Sequence, residues 1–321
     1  MKLYLAKIAT LAPIGSATAQ SNPFECDPLQ LITLTDGFLS PRTMTIDDGY
    51  LYIHDDIAGF VIMDISDLTN PTIIAQLEEY KGYDASAIII NGDAAYITEE
   101  GERRFSIFNI EDKSDPWFRR NMPYGFDFID GINFAKTDQY LFLESYAINI
   151  SRPFAPGPDS YANDFVFDSP PIAIVGNELI TETLSRYDIS DPLAPVPIFE
   201  STVYSALGRL IRAEPPYYIG DSGFIRINES SRLASTAPVP TVFQGNYTIR
   251  GDIAFIANGT LDVFTTSPTP RIVQSYGPED GMISAELVQQ IGDYMIVLGD
   301  GQLAVYGIPS ITEFSLKRNC A

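Results

Sequence analysis

The chain has one histidine, His54, and two aspartates, Asp55 and Asp56, follow it directly. A histidine that is held by a carboxylate and faces a serine is the general base of Ser–His–Asp hydrolases. The sequence contains no Gly-x-Ser-x-Gly elbow to present such a serine. One histidine and two cysteines also cannot supply a zinc site built on several His or Cys ligands. We therefore expect His54 to be a hydrogen-bonded or exposed turn residue and assign no catalytic residue.

Oxygen-bearing side chains recur at equivalent places, each directly after a short apolar stretch. They are Asp55, Asp56, Glu99, Glu100, Glu144, Asp221, Asn258 and Asp300. Tyrosines recur in the segments between the repeating units, at Tyr83, Tyr124, Tyr247 and Tyr276. Carboxylate and amide oxygens suit Ca²⁺, and tyrosine faces suit a cationic ligand or a sugar ring. These residues are therefore a candidate ligand face with calcium as a possible cofactor. The alternative is that Asp and Asn are simply the residues that turns require.

Two carboxylates on one face also suggest glycoside hydrolysis or a lyase reaction on a polysaccharide. Such an enzyme needs its two carboxylates about 5 Å or about 6.5–9.5 Å apart, and one of them needs a raised pKa. The sequence supplies neither the distance nor the pKa. We keep an enzyme of this kind as the alternative to a binding protein.

One phrase, Asp-Ile-Ser-Asp or a close variant, occurs at residues 64–71, 109–116 and 188–192. Each copy follows an apolar alternating stretch and precedes another. Asp and Ser side chains hydrogen-bond the backbone two residues on, and the proline fixes φ after the turn. The phrase is therefore predicted to form a turn between a third and a fourth strand, and not to supply calcium ligands.

The repeating units are spaced by roughly 40–45 residues, the period of propeller blades. Each unit contains short strands rich in β-branched and aromatic residues, separated by Gly, Asp, Asn and Pro. The sequence therefore predicts an all-β fold, a β-propeller of six four-stranded antiparallel blades. Residues 148–183, which are rich in proline and glycine, are predicted to be an irregular insertion, either a partner-docking arm or a surface excursion. Seven blades are the alternative if this segment hides one.

The last unit lacks a clear fourth strand, and residues 28–34 align with the fourth strand at residues 71–77. We expect this N-terminal segment to close the ring, which removes exposed sheet edges. The closure brings Cys26 near Cys320, so a disulfide is predicted, with two free thiols as the alternative. In a propeller the second-to-third turns and the blade-to-blade loops emerge together, which would gather the acidic and aromatic residues around one channel mouth.

The phrase and its flanks resemble the bacterial LVIVD-repeat family. The best matches are residues 59–71 and 184–192, with Gly, an alternating apolar strand, and the Asp-x-Ser-Asp turn. The second copy departs from the pattern, with Asn109 for the first Asp and a longer turn, and the later units lack the full phrase. The resemblance implies a secreted or surface β-propeller. It transfers no catalytic residues.

Residues 1–19 read as a secretory signal peptide, with Lys2, an apolar stretch and Ala17-Thr18-Ala19 as the cleavage site. Residues 20–321 are then predicted to be a single domain that is secreted, periplasmic or at the cell surface. No other run of roughly 18 apolar residues occurs, so no transmembrane segment is expected.

The formal net charge is −22, a balance that repels nucleic acid and anionic lipid. These observations together predict a monomeric, non-catalytic binding propeller. Its partner would be an unknown protein or carbohydrate, and the alternatives are the polysaccharide enzyme above or a lectin-like protein.

Overall fold

The computed structural model describes sixteen segments of the chain, between residues 29 and 308. They are residues 29–82, 85–99, 104–123, 134–143, 146–151, 161–162, 167–169, 171–181, 183–199, 210–214, 217–220, 223–227, 234–237, 246–250, 253–265 and 271–308. Their regular structure is β-strand, apart from single 3-10 turns at Glu78–Tyr80 and Pro278–Asp280. None of these segments forms a helix of the length and hydropathy that a membrane span requires.

The described strands form seven four-stranded antiparallel sheets, which are blades 1 to 7 of a β-propeller. Blade 1 contains β2 (Pro41–Asp47), β3 (Tyr50–Asp55), β4 (Gly59–Asp64) and β5 (Thr72–Leu77). Blade 2 contains β6 (Ala85–Asn91), β7 (Ala94–Glu99), β8 (Arg104–Asn109) and β9 (Trp117–Pro123). Blade 3 contains β10 (Ala135–Lys136), β11 (Tyr140–Leu143), β12 (Tyr146–Asn149) and β13 (Tyr161–Ala162). Blade 4 contains β14 (Pro171–Val175), β15 (Glu178–Thr181), β16 (Arg186–Asp188) and β17 (Val196–Phe199).

The remaining blades follow the same order along the chain, except the last. Blade 5 contains β18 (Leu210–Glu214), β19 (Tyr217–Gly220), β20 (Gly223–Ile227) and β21 (Ala234–Ala237). Blade 6 contains β22 (Asn246–Arg250), β23 (Ile253–Asn258), β24 (Thr260–Thr265) and β25 (Arg271–Tyr276). Blade 7 contains β26 (Leu287–Ile291), β27 (Tyr294–Gly299) and β28 (Gly301–Gly307), and its fourth strand is β1 (Gln30–Phe38).

The all-β propeller predicted from the sequence is confirmed. The described residues form seven sheets, which was the alternative prediction, whereas six blades were preferred. The reason lies in residues 148–183, which contain β13, β14 and β15. The third predicted unit therefore combines the first half of blade 3 with the second half of blade 4. A fourth, shortened copy of the phrase, Asn149-Ile150-Ser151, begins at the last residue of the third strand of blade 3. It was not recognised in the sequence, and it marks the turn that follows this strand.

The N-terminal strand closes the ring, as the sequence predicted. β1 pairs antiparallel with β28 from Gln30 opposite Gly307 to Phe38 opposite Gly301. The first strands of blades 7 and 1, β26 and β2, lie side by side, and Phe38 is fully buried where they meet. The observed strand begins and ends a few residues later than the predicted segment 28–34. Cys26 and Cys320 lie outside the described residues.

Blade 1 is apolar on both faces, because it packs between two neighbours. In blade 1, Tyr52 and Ile62 pack against blade 2. The alternate positions Ile53 and Val61 pack against blade 7. Side chains alternate across a strand, so a strand buried on both faces is a continuous apolar run, as β4 is up to Met63. Each fully buried side chain of this size contributes about 1.5–3 kcal/mol.

One backbone hydrogen bond recurs at the end of the third strand, and we call it the isoleucine anchor. An isoleucine directly after the strand donates its N–H to a carbonyl in the turn between the first and second strands. The pairs are Ile65–Gly49, Ile110–Asp93, Ile150–Gln139, Ile189–Asn177 and Ile308–Asp293, at 2.8–3.0 Å. All five isoleucine side chains are buried.

In four of these blades the anchor sits inside an Asx turn. The side-chain oxygen Oδ1 of Asp64, Asn109, Asn149 or Asp188 accepts the backbone N–H two residues on, at 2.8–3.0 Å. The phrase is thus the turn between the third and fourth strands, as predicted.

Truncating an anchor should destabilise the whole ring. Ile65→Ala is expected to lower the free energy of unfolding by about 2–5 kcal/mol, because it leaves a cavity in a buried site. The control, Ile73→Ala, makes the same change on β5, where the side chain is 45% exposed, and should cost about 0.5 kcal/mol. Urea unfolding measures both. Equal losses would contradict the burial of the Ile65 side chain in the core.

Candidate functional site

The upper face is the end of the propeller where each second strand ends and each third strand begins. In blade 1, Pro41 at the start of β2 pairs with Asp55 at the end of β3, and Asp55 pairs with Gly59 at the start of β4. The first strand therefore also begins at this end, so the blade-to-blade connections reach it too. The opposite end, which carries the phrase turns, is the lower face.

The structure places part of the predicted ligand set on the upper face. Asp55, Asp56, Asn258 and Asp300 lie there at the ends of second strands, and so does the backbone of Glu99. The other members, Glu100, Glu144, Asp221, Tyr83 and Tyr124, lie outside the described residues.

Asp55 is fully buried, and both of its carboxylate oxygens are occupied by backbone donors. Oδ1 accepts the N–H groups of Ile57 and Ala58, at 2.8 and 2.7 Å. Oδ2 accepts the N–H of Ser40, at 2.9 Å. Ser40 lies in the connection that enters β2, so Asp55 ties the second-to-third turn to the start of its own blade. Hydrogen bonds to an ionised group are among the stronger ones, which gives Asp55 a structural role.

Asp300 makes the same tie in blade 7. Its Oδ2 accepts the N–H of Ser284, at 2.7 Å, and Ser284 lies in the connection that leads to β26. The approach of the two segments is so close that a Cβ on Gly299 would lie 1.7 Å from the carbonyl oxygen of Ser284. Asp56 instead pairs with Arg42, whose Nε donates to Asp56 Oδ2 at 2.6 Å.

Blade 4 makes this upper-face tie with the roles reversed. The carboxylate, Asp168, precedes β14, and the turn supplies hydroxyl donors from Thr181 and Thr183, at 2.9 and 2.6 Å, and from Ser185. Burial alone would raise the pKa of Asp168, but hydrogen bonds from Ser185, Thr183 and the other hydroxyls lower it overall. Asp168 was not predicted, because it lies within residues 148–183, which were expected to form an irregular insertion.

Glu286 is a second upper-face acid that sequence reasoning missed. It lies directly before β26, and its N–H donates to the carbonyl of Leu298 at 2.9 Å. Burial raises the pKa of Glu286, and the negative charges of Asp300 and Asp55 raise it further. Among the described residues, no three His, Cys, Asp or Glu side chains form a metal-binding group. Calcium at this face stays a prediction.

His54 is a buried strand residue and not an exposed base. Its Nε2 lies 3.1 Å from the carbonyl oxygen of Tyr80, so this nitrogen carries a proton and donates it. Burial lowers the pKa of the ring, against the opposing effects of the Tyr80 carbonyl and of Asp56 and Asp55. His54 is therefore neutral at neutral pH, and it holds the end of blade 1 to the loop that follows it.

The two described tyrosines of the predicted set are buried, so their rings offer no exposed stacking surface. Tyr247 packs against Ile256 and Phe264, and Tyr276 packs against Leu261 and Met282. The exposed apolar groups of this face are aliphatic instead. Leu39 is 66% exposed and Ile57 is 49% exposed. They flank the buried Asp55, because Ser40 and Ile57 both donate to its carboxylate.

The family comparison agrees with the resemblance drawn from the sequence. Residues 42–78, which span blade 1 from β2 to the end of β5, match the model of the LVIVD repeat. The resemblance to this family is thereby confirmed. No protein of curated function matches the chain.

Solved structures resemble the chain at the level of the fold. A chain of the mitotic checkpoint complex matches with a TM-score of 0.60 and 11% identity, covering 95% of this chain and 100% of that one. The computationally designed Ika8 protein matches with a TM-score of 0.56 and 9% identity, covering 88% and 100%. A catalytically inactive virginiamycin B lyase from Staphylococcus aureus, solved with quinupristin, matches with a TM-score of 0.54 and 14% identity, covering 88% and 99%. At such low sequence identities, these structural matches support a propeller-like fold and nothing about function.

The raised pKa of Glu286 predicts a pH-dependent effect of neutralising it. An acid whose pKa is higher in the folded chain than in the unfolded chain destabilises the fold as it ionises. For Glu286 this loss of stability develops as the pH rises above its ordinary pKa of 4.5. Glu286→Gln should therefore increase the free energy of unfolding at pH 7 by less than about 1 kcal/mol and raise the melting temperature accordingly. The variant should have no such effect under acidic conditions where Glu286 is protonated.

The matched control is Glu111→Gln, which removes one negative charge from the lower face. It corrects for the general relief of repulsion in a chain of net charge −22. Thermal unfolding followed by circular dichroism at several pH values measures both variants. A loss of stability at neutral pH in Glu286→Gln would contradict the proposed repulsion.

Proposed function

We propose that this LVIVD-repeat propeller is a non-catalytic binding protein, and that it presents the upper face of blades 7 and 1 to a protein partner outside the cytoplasm. One observation carries the proposal. The carboxylates of Asp55, Asp56 and Asp300 accept hydrogen bonds from the chain's own donors, whereas Leu39 and Ile57 project into solvent.

The bonding of these polar groups favours binding over catalysis. A general acid or base needs a proton-transfer group within reach of the substrate and a pKa near the working pH. Asp55 is buried under three N–H donors, and His54 is buried and held neutral. The described residues that first suggested chemistry are therefore used to hold the turns of the upper face in place.

The surroundings of Leu39 and Ile57 have the anatomy of a small interface. Exposed aliphatic side chains form the centre, and the Arg42–Asp56 ion pair, Asp300 and Glu286 supply charges nearby. Interfaces commonly place a few apolar anchors inside a polar rim, and the anchors carry most of the binding free energy. A protein partner fits this surface better than a sugar does, because its described tyrosines are buried.

The proposed location follows from the sequence and the family. Residues 1–19 have the pattern of a signal peptide, the net charge is strongly negative, and the resemblance implies a secreted or surface protein. The proposal is therefore a secreted, periplasmic or cell-surface monomer, with Cys26 and Cys320 paired in an oxidising compartment.

A polysaccharide hydrolase or lyase is the second candidate, and Glu286 is the observation that favours it. A carboxyl group with a raised pKa beside another carboxylate is the arrangement from which glycosidases draw a general acid. Glu286 has such a pKa, and the charge of Asp300 contributes to it. In this candidate Glu286 would donate the proton to the leaving group.

Affinity capture on immobilised protein tests the proposal. The probe is the extracellular and surface-protein fraction of the source organism, with retained proteins identified by mass spectrometry. A partner should be retained by the wild-type protein and about tenfold less by Leu39→Asp/Ile57→Asp, because charged side chains replace two exposed aliphatic ones at the centre of the surface. The control, Leu193→Asp/Val196→Asp, makes the same changes at exposed positions of blade 4 and should retain the partner as wild type does.

A glycan array and a panel of polysaccharide substrates complete the test. Retention of a glycan would contradict the proposal and support a lectin-like protein instead. Turnover that is abolished by Glu286→Gln would replace it with the enzyme. A protein retained equally by all three forms would place the binding surface elsewhere.

A further inference from the structure

The lower face contains a groove between blades 1 and 2. Its volume is about 740 Å³, within the usual range of ligand sites. Two copies of the phrase form its walls: Asp64 ends the third strand of blade 1, and Asp112 and Asp115 lie in the corresponding turn of blade 2. Tyr50 and Trp117 also line it.

The charges of the groove are strongly one-sided. Asp64, Glu111, Asp112 and Asp115 face a single basic lining residue, Lys113. Hydrogen bonds from Ser66 hold the pKa of Asp64 below its ordinary value, and those from Ser114 do the same for Asp112. Both carboxylates are therefore ionised at neutral pH. The N–H groups of Ser66 and Ser114 and the hydroxyl of Ser114 donate to Oδ1 of these two carboxylates.

The aromatic rings of the groove already hold basic side chains of this chain. Lys113 Nζ lies 5.1 Å from the ring centroid of Tyr50, and Arg119 Cζ lies 5.4 Å from that of Trp117. These are cation–π distances. Trp117 is the only tryptophan in the sequence, and it is 45% exposed. The rings are thus placed to stack on cations next to ionised carboxylates.

We propose that this groove binds an arginine-rich peptide segment of a partner protein. A guanidinium of the peptide takes the place of Arg119 on Trp117 and donates hydrogen bonds to Asp64 and Asp112, and a second basic side chain displaces Lys113 from Tyr50. Charge complementarity selects this occupant over a neutral sugar, since the four carboxylates outnumber the two basic side chains, Lys113 and Arg119, that lie against the rings of the groove. The groove lies on the opposite face from Leu39 and Ile57, so the inference stands apart from the proposed upper-face partner.

The sole tryptophan supplies the assay. The full chain is titrated at low salt with a short peptide of alternating glycine and arginine, while Trp117 fluorescence and calorimetric heat are recorded. We expect saturable binding that weakens as salt is added, because the attraction is between exposed charges. The same peptide with glutamate in place of arginine should not bind.

The decisive variant is Asp64→Asn/Asp112→Asn. Asparagine preserves the Asx turn, as Asn109 and Asn149 show in blades 2 and 3, but removes the charge. Binding should weaken about tenfold or more, whereas Asp138→Asn, an exposed aspartate of blade 3 outside the groove, should bind like wild type.

Three outcomes would overturn the inference. They are equal binding by wild type and the double variant, no heat or fluorescence change with the arginine peptide at millimolar concentration, and tighter binding of a neutral oligosaccharide at Trp117. Leu39→Asp/Ile57→Asp should leave peptide binding unchanged, so a failure here is distinguishable from a failure of the upper-face proposal.

Discussion

The isoleucine anchor is the interaction on which the rest of the propeller depends. The N–H of an isoleucine, directly after the third strand, binds the carbonyl of the first turn of the same blade, and the side chain enters the core. This bond fixes the register between the third strand and the first hairpin. Because side chains alternate between faces, a slip of the third strand by one residue would turn Val61 and Ile62 toward the wrong neighbours. The anchor therefore holds both apolar layers of a blade in place.

The two ends of each blade use polar residues differently. At the upper face, carboxylates and hydroxyls join the second-to-third turn to the start of the same blade: Asp55 to Ser40 and Asp300 to Ser284, with Asp168 in the reversed arrangement. Their hydrogen-bonding capacity is largely used within the chain. At the lower face, the Asx turns use one carboxylate oxygen and leave charge exposed. The apolar upper surface and the acidic lower groove follow from this difference.

Much of the fold was predictable because it repeats. The phrase and the strand pattern predicted the all-β propeller, the turn after each third strand, and ring closure by the N-terminal strand. The preferred count of six blades was wrong, and the alternative of seven was right, because two strands of blade 3 are only two residues long and its copy of the phrase, Asn149-Ile150-Ser151, is short. Such strands have too few residues to show alternation.

Less of the site was predictable, because its chemistry depends on contacts between segments distant in the chain. The positions of Asp55 and Asp300 at the ends of second strands could be predicted from the sequence. The backbone N–H groups that donate to their carboxylates could not be predicted. Tyr247 and Tyr276 were expected to be exposed, but both are buried. Tyr276 lies where blades 6 and 7 pack together, and Tyr247 packs on Ile256 and Phe264 of its own blade. Asp168 lies in the segment that was expected to be an irregular insertion, and Glu286 was not among the acids predicted for this face. The lower groove exists only because the turns of blades 1 and 2 lie side by side.

Hydrogen–deuterium exchange with mass spectrometry tests the central claim, that the same anchor secures each described blade in which it occurs, within one ring closed by β1. The informative peptides are those containing Ile65, Ile150 and Ile308, together with β1. The account predicts that their protected amides exchange slowly and in one cooperative step, with the free energy of global unfolding. Rapid exchange of the Ile150 peptide or of β1, while the Ile65 peptide stays protected, would contradict it.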